Sequence, residues 1–161
     1  MRITNVEMPY CRGYYLFIFK LREDLKVLVG SLGLIFLEKG IYGYLGSSFT
    51  KGGVLIRISR HLIKNKIKRW HIDYLTSIES VEPVEAIWVC SEKRGLEAEL
   101  ALCIGKFFEY AVKGFGSSDS IAYGHLFKLQ RSNAYYVKNY NDLMFNASLK
   151  GLLPKCLSIA R

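Results

Sequence analysis

Proline and histidine are scarce in this chain, with three of each, and no two of its four cysteines stand in Cys-x-x-Cys spacing. The lack of paired cysteines excludes the usual zinc-ribbon and zinc-finger ligand sets. No apolar run reaches about 18 residues, so no segment is expected to span a membrane. No N-terminal stretch has the charged, apolar and small-residue order of a signal peptide. No strand, glycine-rich loop and helix combine into a phosphate cradle of the P-loop or Rossmann kind. There are no internal repeats and no low-complexity segments. Cys90 and Cys103 lie in apolar runs and read as buried, reduced thiols. Together these features lead us to expect an intracellular, cytoplasmic protein.

What is present is a chain of 161 residues, half of them hydrophobic and 14% aromatic, which is enough for one domain with a real core. The formal net charge is +9, which favours a polyanionic partner: nucleic acid or an anionic membrane surface. The distribution is more telling than the total. Lys51, Arg57, Arg60, Lys64, Lys66, Lys68 and Arg69 face only Asp73 within residues 51–75, a net of +6. Residues 76–99 carry six glutamates against Lys93 and Arg94, a net of −4. Such a pair of stretches reads as a phosphate-binding face with carboxylates nearby, or as two solvated faces.

Residues 14–21 (YYLFIFKL) predict a buried strand, and the alternating residues 25–29 predict its hairpin partner across the polar turn at 22–24. Residues 33–37 and 41–46 predict two more strands, with Tyr42 and Tyr44 on one face. A polar loop that could cap a helix with Ser47, Ser48 or Thr50 precedes a helical stretch from about 54 to 66. Arg57, Arg60, His61 and Lys64 share its polar side, and Val54, Leu55, Ile58 and Leu62 its apolar side. A short helix or turn at 70–77, a strand at 84–90, a helix at 95–110, a loop at 114–119, a strand at 125–129 and a last helix at 133–150 follow. The pattern predicts an α+β fold: a small mixed, mainly antiparallel sheet flanked by helices, with an extra C-terminal helix. The expected division is a domain over 1–130 and a helical extension over 131–161 packed on it.

Phosphodiester hydrolysis needs an activated water, cations that stabilise the developing charge, and help for the leaving oxygen, often from a metal ion. The chain holds pieces suited to this: Gly13-Tyr14-Tyr15, Tyr44-Leu45-Gly46, Arg57-Ile-Ser-Arg60-His61 and Glu97-Ala-Glu99-Leu-Ala. In this order they resemble the GIY-YIG nuclease superfamily. Further pieces are Gly40-Ile-Tyr-Gly-Tyr-Leu-Gly-Ser, Arg69-Trp-His-Ile-Asp-Tyr-Leu, Gly114-Phe-Gly-Ser-Ser-Asp and His125-Leu-Phe. With these, residues 12–129 are similar to the branch named domain of unknown function 123, or Uri-type endonucleases. The likeness breaks at Ser120-Ile-Ala122, where many relatives have Cys-x-Cys, and the late asparagine of some superfamily members has no counterpart.

The resemblance implies a GIY-YIG-like fold and a metal-dependent endonuclease acting on DNA, structure-specific and repair-related. Tyr15, Tyr44, Arg57 and His61 would be catalytic, and Glu97 (or Glu99) would hold one Mg²⁺ or Mn²⁺. His71, Asp73, Ser118, Asp119 and His125 would border the cleft. Arg60, Lys64, Lys66, Lys68 and Arg69 would contact nucleic acid. The plain structural alternatives are two core tyrosines, a solvated basic face, exposed helix glutamates, and a His71–Asp73 pair satisfied beneath the sheet. An inactive nucleic-acid-binding module of the same fold is the second functional expectation. Residues 130–161 mix Arg131, Lys138, Lys150, Lys155 and Arg161 with Tyr135, Tyr136, Tyr140 and Phe145. That mixture suits single-strand stacking, or a docking face for a homodimer or a partner protein.

Overall fold

A computed structural model describes residues 2–3, 10–117, 121–129 and 147–160. Its elements run β1 (Arg2–Ile3), β2 (Gly13–Leu21), β3 (Leu25–Val29), a 3-10 turn (Gly30–Leu32), β4 (Gly33–Leu37), β5 (Gly40–Ser48), α1 (Gly53–Leu62) and α2 (His71–Thr76). Then come β6 (Val81–Cys90), α3 (Glu97–Ile104), β7 (Glu109–Tyr110), β8 (Leu126–Lys128) and α4 (Ala147–Ile159). Six strands form one sheet in the order β1-β6-β2-β5-β8-β7, antiparallel except for the β1–β6 pair. The fold is α+β, a small and mainly antiparallel sheet between helices.

Strand β2 explains the layers. Side chains alternate across a strand, so its aromatic run supplies both faces. Tyr15, Phe17, Phe19 and Leu21 pack with Val54 and Ile58 of α1 and with Ile72 and Leu75 of α2. Tyr14, Leu16 and Ile18 pack with Leu100, Ala101 and Ile104 of α3 and with Leu152, Leu153 and Leu157 of α4. Each fully buried large side chain contributes roughly 1.5–3 kcal/mol, so this one strand anchors both cores.

Several expected elements differ. β3 pairs with β4 in a separate two-stranded ribbon, because β5 and β6 occupy both edges of β2. Pro83 lies inside β6, opposite Phe19, where the register shifts between Ile18 and Phe19. Such an irregularity is where a strand tolerates a residue without an N–H. Helix α1 stops at Leu62 instead of about 66, since Ile63 is extended and its N–H, like the Lys66 Nζ, donates to the Arg60 carbonyl. No side chain caps α1: Gly52 is the cap residue, and the Cys11 carbonyl receives the Val54 N–H. Helix α3 covers only Glu97–Ile104, and tight turns lead from it to β7, leaving Phe107 exposed. The expected helix at 133–150 lies largely outside the described residues; the helix observed is α4.

The cysteines are the clearest correction. Cys11 is bonded to Cys90, and Cys103 to Cys156, with Cα separations of 5.6 and 5.7 Å. Apolar neighbours in the sequence suggested isolated thiols, but β2 and β6 bring Cys11 beside Cys90, which is an exposed residue, and α4 lays Cys156 on α3. The reduced-thiol argument for a cytoplasmic location therefore falls. No helix among the described residues is long and apolar enough to cross a membrane.

Each bridge closes a loop of more than fifty residues, for which chain entropy suggests about 4 kcal/mol. Replacing Cys103 and Cys156 together by serine should lower the free energy of unfolding by roughly 2–4 kcal/mol. Urea unfolding with and without reductant checks this, and added reductant should then change the variant less than the wild type.

Candidate active site

Tyr15 of β2 and Tyr44 of β5 emerge on the sheet face covered by α1. The register sets Tyr15 against Gly46. A Cβ at Gly46 would sit 2.4 Å from the Tyr15 hydroxyl, so the glycine makes room for the phenol. On α1, Val54, Ile58 and His61 form the buried stripe. His61 was expected on the basic outer face; it is only 2% exposed, because the i, i+4, i+7 spacing aims it at the sheet. Arg57, one turn earlier, is half-buried at the rim.

The Tyr15 Oη and His61 Nε2 are 2.8 Å apart. Around the imidazole lie Phe17, at 4.9 Å between ring centres, and Tyr44, at 5.9 Å. Burial in this aromatic box, with help from Lys66, lowers the His61 pKa from 6.5 to about 3, so the ring is neutral. Burial also raises Tyr15 well above the usual phenol value, and Tyr44 to about 12, against the opposing pull of Arg57. All three groups are uncharged near neutral pH.

Asp73 is the second organiser. It is fully buried, away from the cavity, and its Oδ2 accepts hydrogen bonds from Arg60 Nη2 at 2.8 Å, Arg69 N at 2.9 Å and Trp70 N at 3.1 Å. Burial works to raise its pKa, but the Arg60 guanidinium and the two backbone N–H groups outweigh it and hold the pKa below the usual carboxylate value. Of the five expected nucleic-acid contacts, three are engaged inside the protein. Arg60 pairs with Asp73; Lys64 Nζ donates to the carbonyls of Ile78 and Val81; Lys66 Nζ donates to the Arg60 carbonyl and Thr76 Oγ1. Lys68 and Arg69 are exposed. The basic run is thus partly a set of staples that shape residues 63–70, which a one-dimensional charge count cannot distinguish from a ligand face.

On the far side, Glu97 begins α3 and its Oε1 accepts the Ser47 hydroxyl at 2.5 Å. Ser47 had been expected only as a helix cap. Glu99 is exposed and outside the cavity, since two residues along a helix turn it away. A cavity of about 270 Å³ is lined by Tyr15, Tyr44, Ser47, Arg57, His61, Trp70, Glu97 and His125, with Leu45, Gly46, Ile72 and Gly116. His125 is 6% exposed, its Nε2 has no partner among the described residues, and burial lowers its pKa against the pull of Glu97. His71 stands just outside, its Nδ1 accepting the Gly116 N–H at 3.0 Å. Ser118 and Asp119 lie outside the described residues. Ser47 and Trp70 are the lining polar groups to which sequence reasoning gave no site role. Only the adjacency of Trp70 to the chemically mixed His71-Ile-Asp73 run signalled it.

The family model described as Domain of unknown function DUF123 matches residues 14–145, and the chain belongs to this family. No curated protein and no solved structure matches the chain.

The buried neutral imidazole has a pH consequence. An unfolded histidine gains a proton below about 6.5, whereas folded His61 stays neutral until about 3. Stability contributed by the neutral ring is therefore complete above 6.5 and is lost as pH falls from 6.5 towards 3, by on the order of several kcal/mol. His71 and His125, also lowered by burial, act in the same direction. His61→Gln should flatten the fall in urea midpoint across that window, and an unchanged slope would show that His61 is not held neutral.

Proposed function

We propose that this chain is a divalent-metal-dependent endonuclease of the GIY-YIG superfamily that hydrolyses phosphodiester bonds in DNA. The observation that carries the reading is one cavity lined together by Tyr15, Tyr44, Arg57, His61 and Glu97, which come from β2, β5, α1 and α3. Four separate elements supply them, and only Arg57 and His61 are near neighbours in the sequence.

The donor set suits a hard cation. Among the described residues no cluster of three His, Cys, Asp or Glu side chains is present, but magnesium is commonly held by one or two carboxylates with water and substrate phosphate. Glu97 is such a carboxylate, steadied through one oxygen by Ser47. When bound there, a divalent ion supplies charge neutralisation at the phosphate and at the leaving oxygen.

The protein's own groups divide the remaining work. Arg57 offers planar N–H donors to the non-bridging phosphate oxygens, whose charge grows in the transition state. Tyr15 and His61, both uncharged and 2.8 Å apart, orient the attacking water by hydrogen bonding, and its proton departs to solvent as it attacks, so neither group need become an ion in a site that disfavours buried charge. Tyr44, kept protonated by burial, serves as a hydrogen-bond donor to substrate or water. The exposed Lys68 and Arg69 add long-range attraction for the backbone.

Nicking of supercoiled, branched and single-stranded DNA with Mg²⁺, Mn²⁺ or EDTA tests this. Arg57→Ala and Glu97→Ala should each lower the rate at least about 10²-fold while leaving the melting temperature within a few degrees. Full cleavage by both variants would sink the assignment. Salt-sensitive binding with no metal-dependent product from the wild type would instead favour a binding module.

A further inference from the structure

The Arg57 guanidinium carbon lies 3.9 Å from the centre of the Trp70 ring. No hydrogen bond or ion pair engages Arg57 among the described residues. The geometry points to Trp70 as the positioning residue for Arg57, holding its guanidinium by the π face so that its N–H edge stays available to a phosphate group. The inference rests on the proposed reading that Arg57 meets a phosphodiester.

The physical case turns on which surface of the cation is used. A guanidinium carries all five N–H donors in its plane, and an aromatic ring engages the perpendicular face. A carboxylate partner would orient Arg57 equally well but would take two donors and cancel its charge. Arg60 shows that alternative in the same protein, with Nη2 given to buried Asp73 and to the Ile67 carbonyl. Nearby arginines on one helix thus have opposite fates, Arg60 spent on structure and Arg57 held without being spent. Trp70 is itself fixed. Its backbone N–H donates to Asp73 Oδ2 at 3.1 Å, and the Arg60 guanidinium lies 5.0 Å from its ring centre. The chain of contacts Asp73–Arg60–Trp70–Arg57 runs from a fully buried carboxylate to the rim of the cavity, which Trp70 lines while 37% exposed. An ordered arginine loses less rotamer freedom on meeting a phosphate than a free one would.

The test is a double-mutant cycle on affinity for a fluorescent duplex oligonucleotide, measured by anisotropy in EDTA. Trp70→Leu keeps bulk but removes the ring, and Trp70→Phe keeps a ring. Trp70→Leu should weaken binding roughly tenfold in the wild-type background and less than about twofold in an Arg57→Ala background, while Trp70→Phe should retain most of the affinity. In the NMR spectrum, the Arg57 Nε–H should show an upfield ring-current shift that disappears in Trp70→Leu and persists in Trp70→Phe. Equal losses in both backgrounds, a Phe variant as weak as the Leu variant, or Arg57→Ala binding like the wild type would each overturn the inference. So would a wild type that binds neither the oligonucleotide nor inorganic pyrophosphate. Because the cycle needs no cleavage, absent nicking with a coupled Trp70–Arg57 pair overturns only the nuclease reading. Normal Arg57-dependent nicking with additive losses overturns only the role of Trp70.

Discussion

Strand β2 is hydrogen-bonded along both edges, to β5 and β6, and covered on both faces, by α1 with α2 and by α3 with α4. The strands beside it and the helices packed on its two faces take their positions from that double burial, while β3 and β4 pair with each other apart from the main sheet. The pleat sends Tyr14, Leu16 and Ile18 to one core and Tyr15, Phe17 and Phe19 to the other, so a one-residue slip would exchange the two sets. Tyr15 reaches the cavity because it is on the α1 face, one pleat from residues that support α3. The site is therefore a by-product of the strongest structural commitment in the chain, and the candidate phenol cannot move without disturbing a core.

The second constraint is a buried charge. Asp73 would be costly beneath the surface without compensation, and removing one partner of a buried pair is more destructive than never having the pair. Here the carboxylate gathers Arg60 and two backbone N–H groups, fixing the start of α2 and the segment that precedes it. Lys64 and Lys66 complete that segment by donating to carbonyls. Much of the positive charge that looks like a ligand-binding run is consumed in holding one loop. What remains outward of that run, Lys51, Arg57, Lys68 and Arg69, is a smaller and better defined basic surface.

Burial also sets the proton inventory of the cavity. It keeps His61 uncharged and Tyr15 and Tyr44 protonated, while Glu97 keeps solvent access and a hydroxyl partner. The cavity thus places a neutral imidazole and two protonated phenols beside one arginine and one glutamate. Charge therefore sits at the rim, and the groups inside stay uncharged because ionising them would leave a buried ion.

The α+β class and most strand positions were legible in the sequence because they follow from local rules, whereas the candidate site residues came from the likeness to a known family. The aromatic and β-branched run at 14–21 reads as a buried strand, and period-two alternation put Tyr42 and Tyr44 together. The three- and four-residue spacing on α1 put Arg57 and His61 near one another. Contacts between distant segments were not legible, since they depend on which edges and faces are already taken. The pairing of β3 with β4, the Cys11–Cys90 and Cys103–Cys156 bridges, the spending of Arg60, Lys64 and Lys66 on internal partners, and the seating of Arg57 on Trp70 are all of this kind. The sequence by itself determined the local elements, through residue types and their periodicity, and its likeness to a known family marked the candidate residues. Only the tertiary structure decided which charges are left for a ligand, because that depends on long-range packing and on the cost of leaving a buried polar group without a partner.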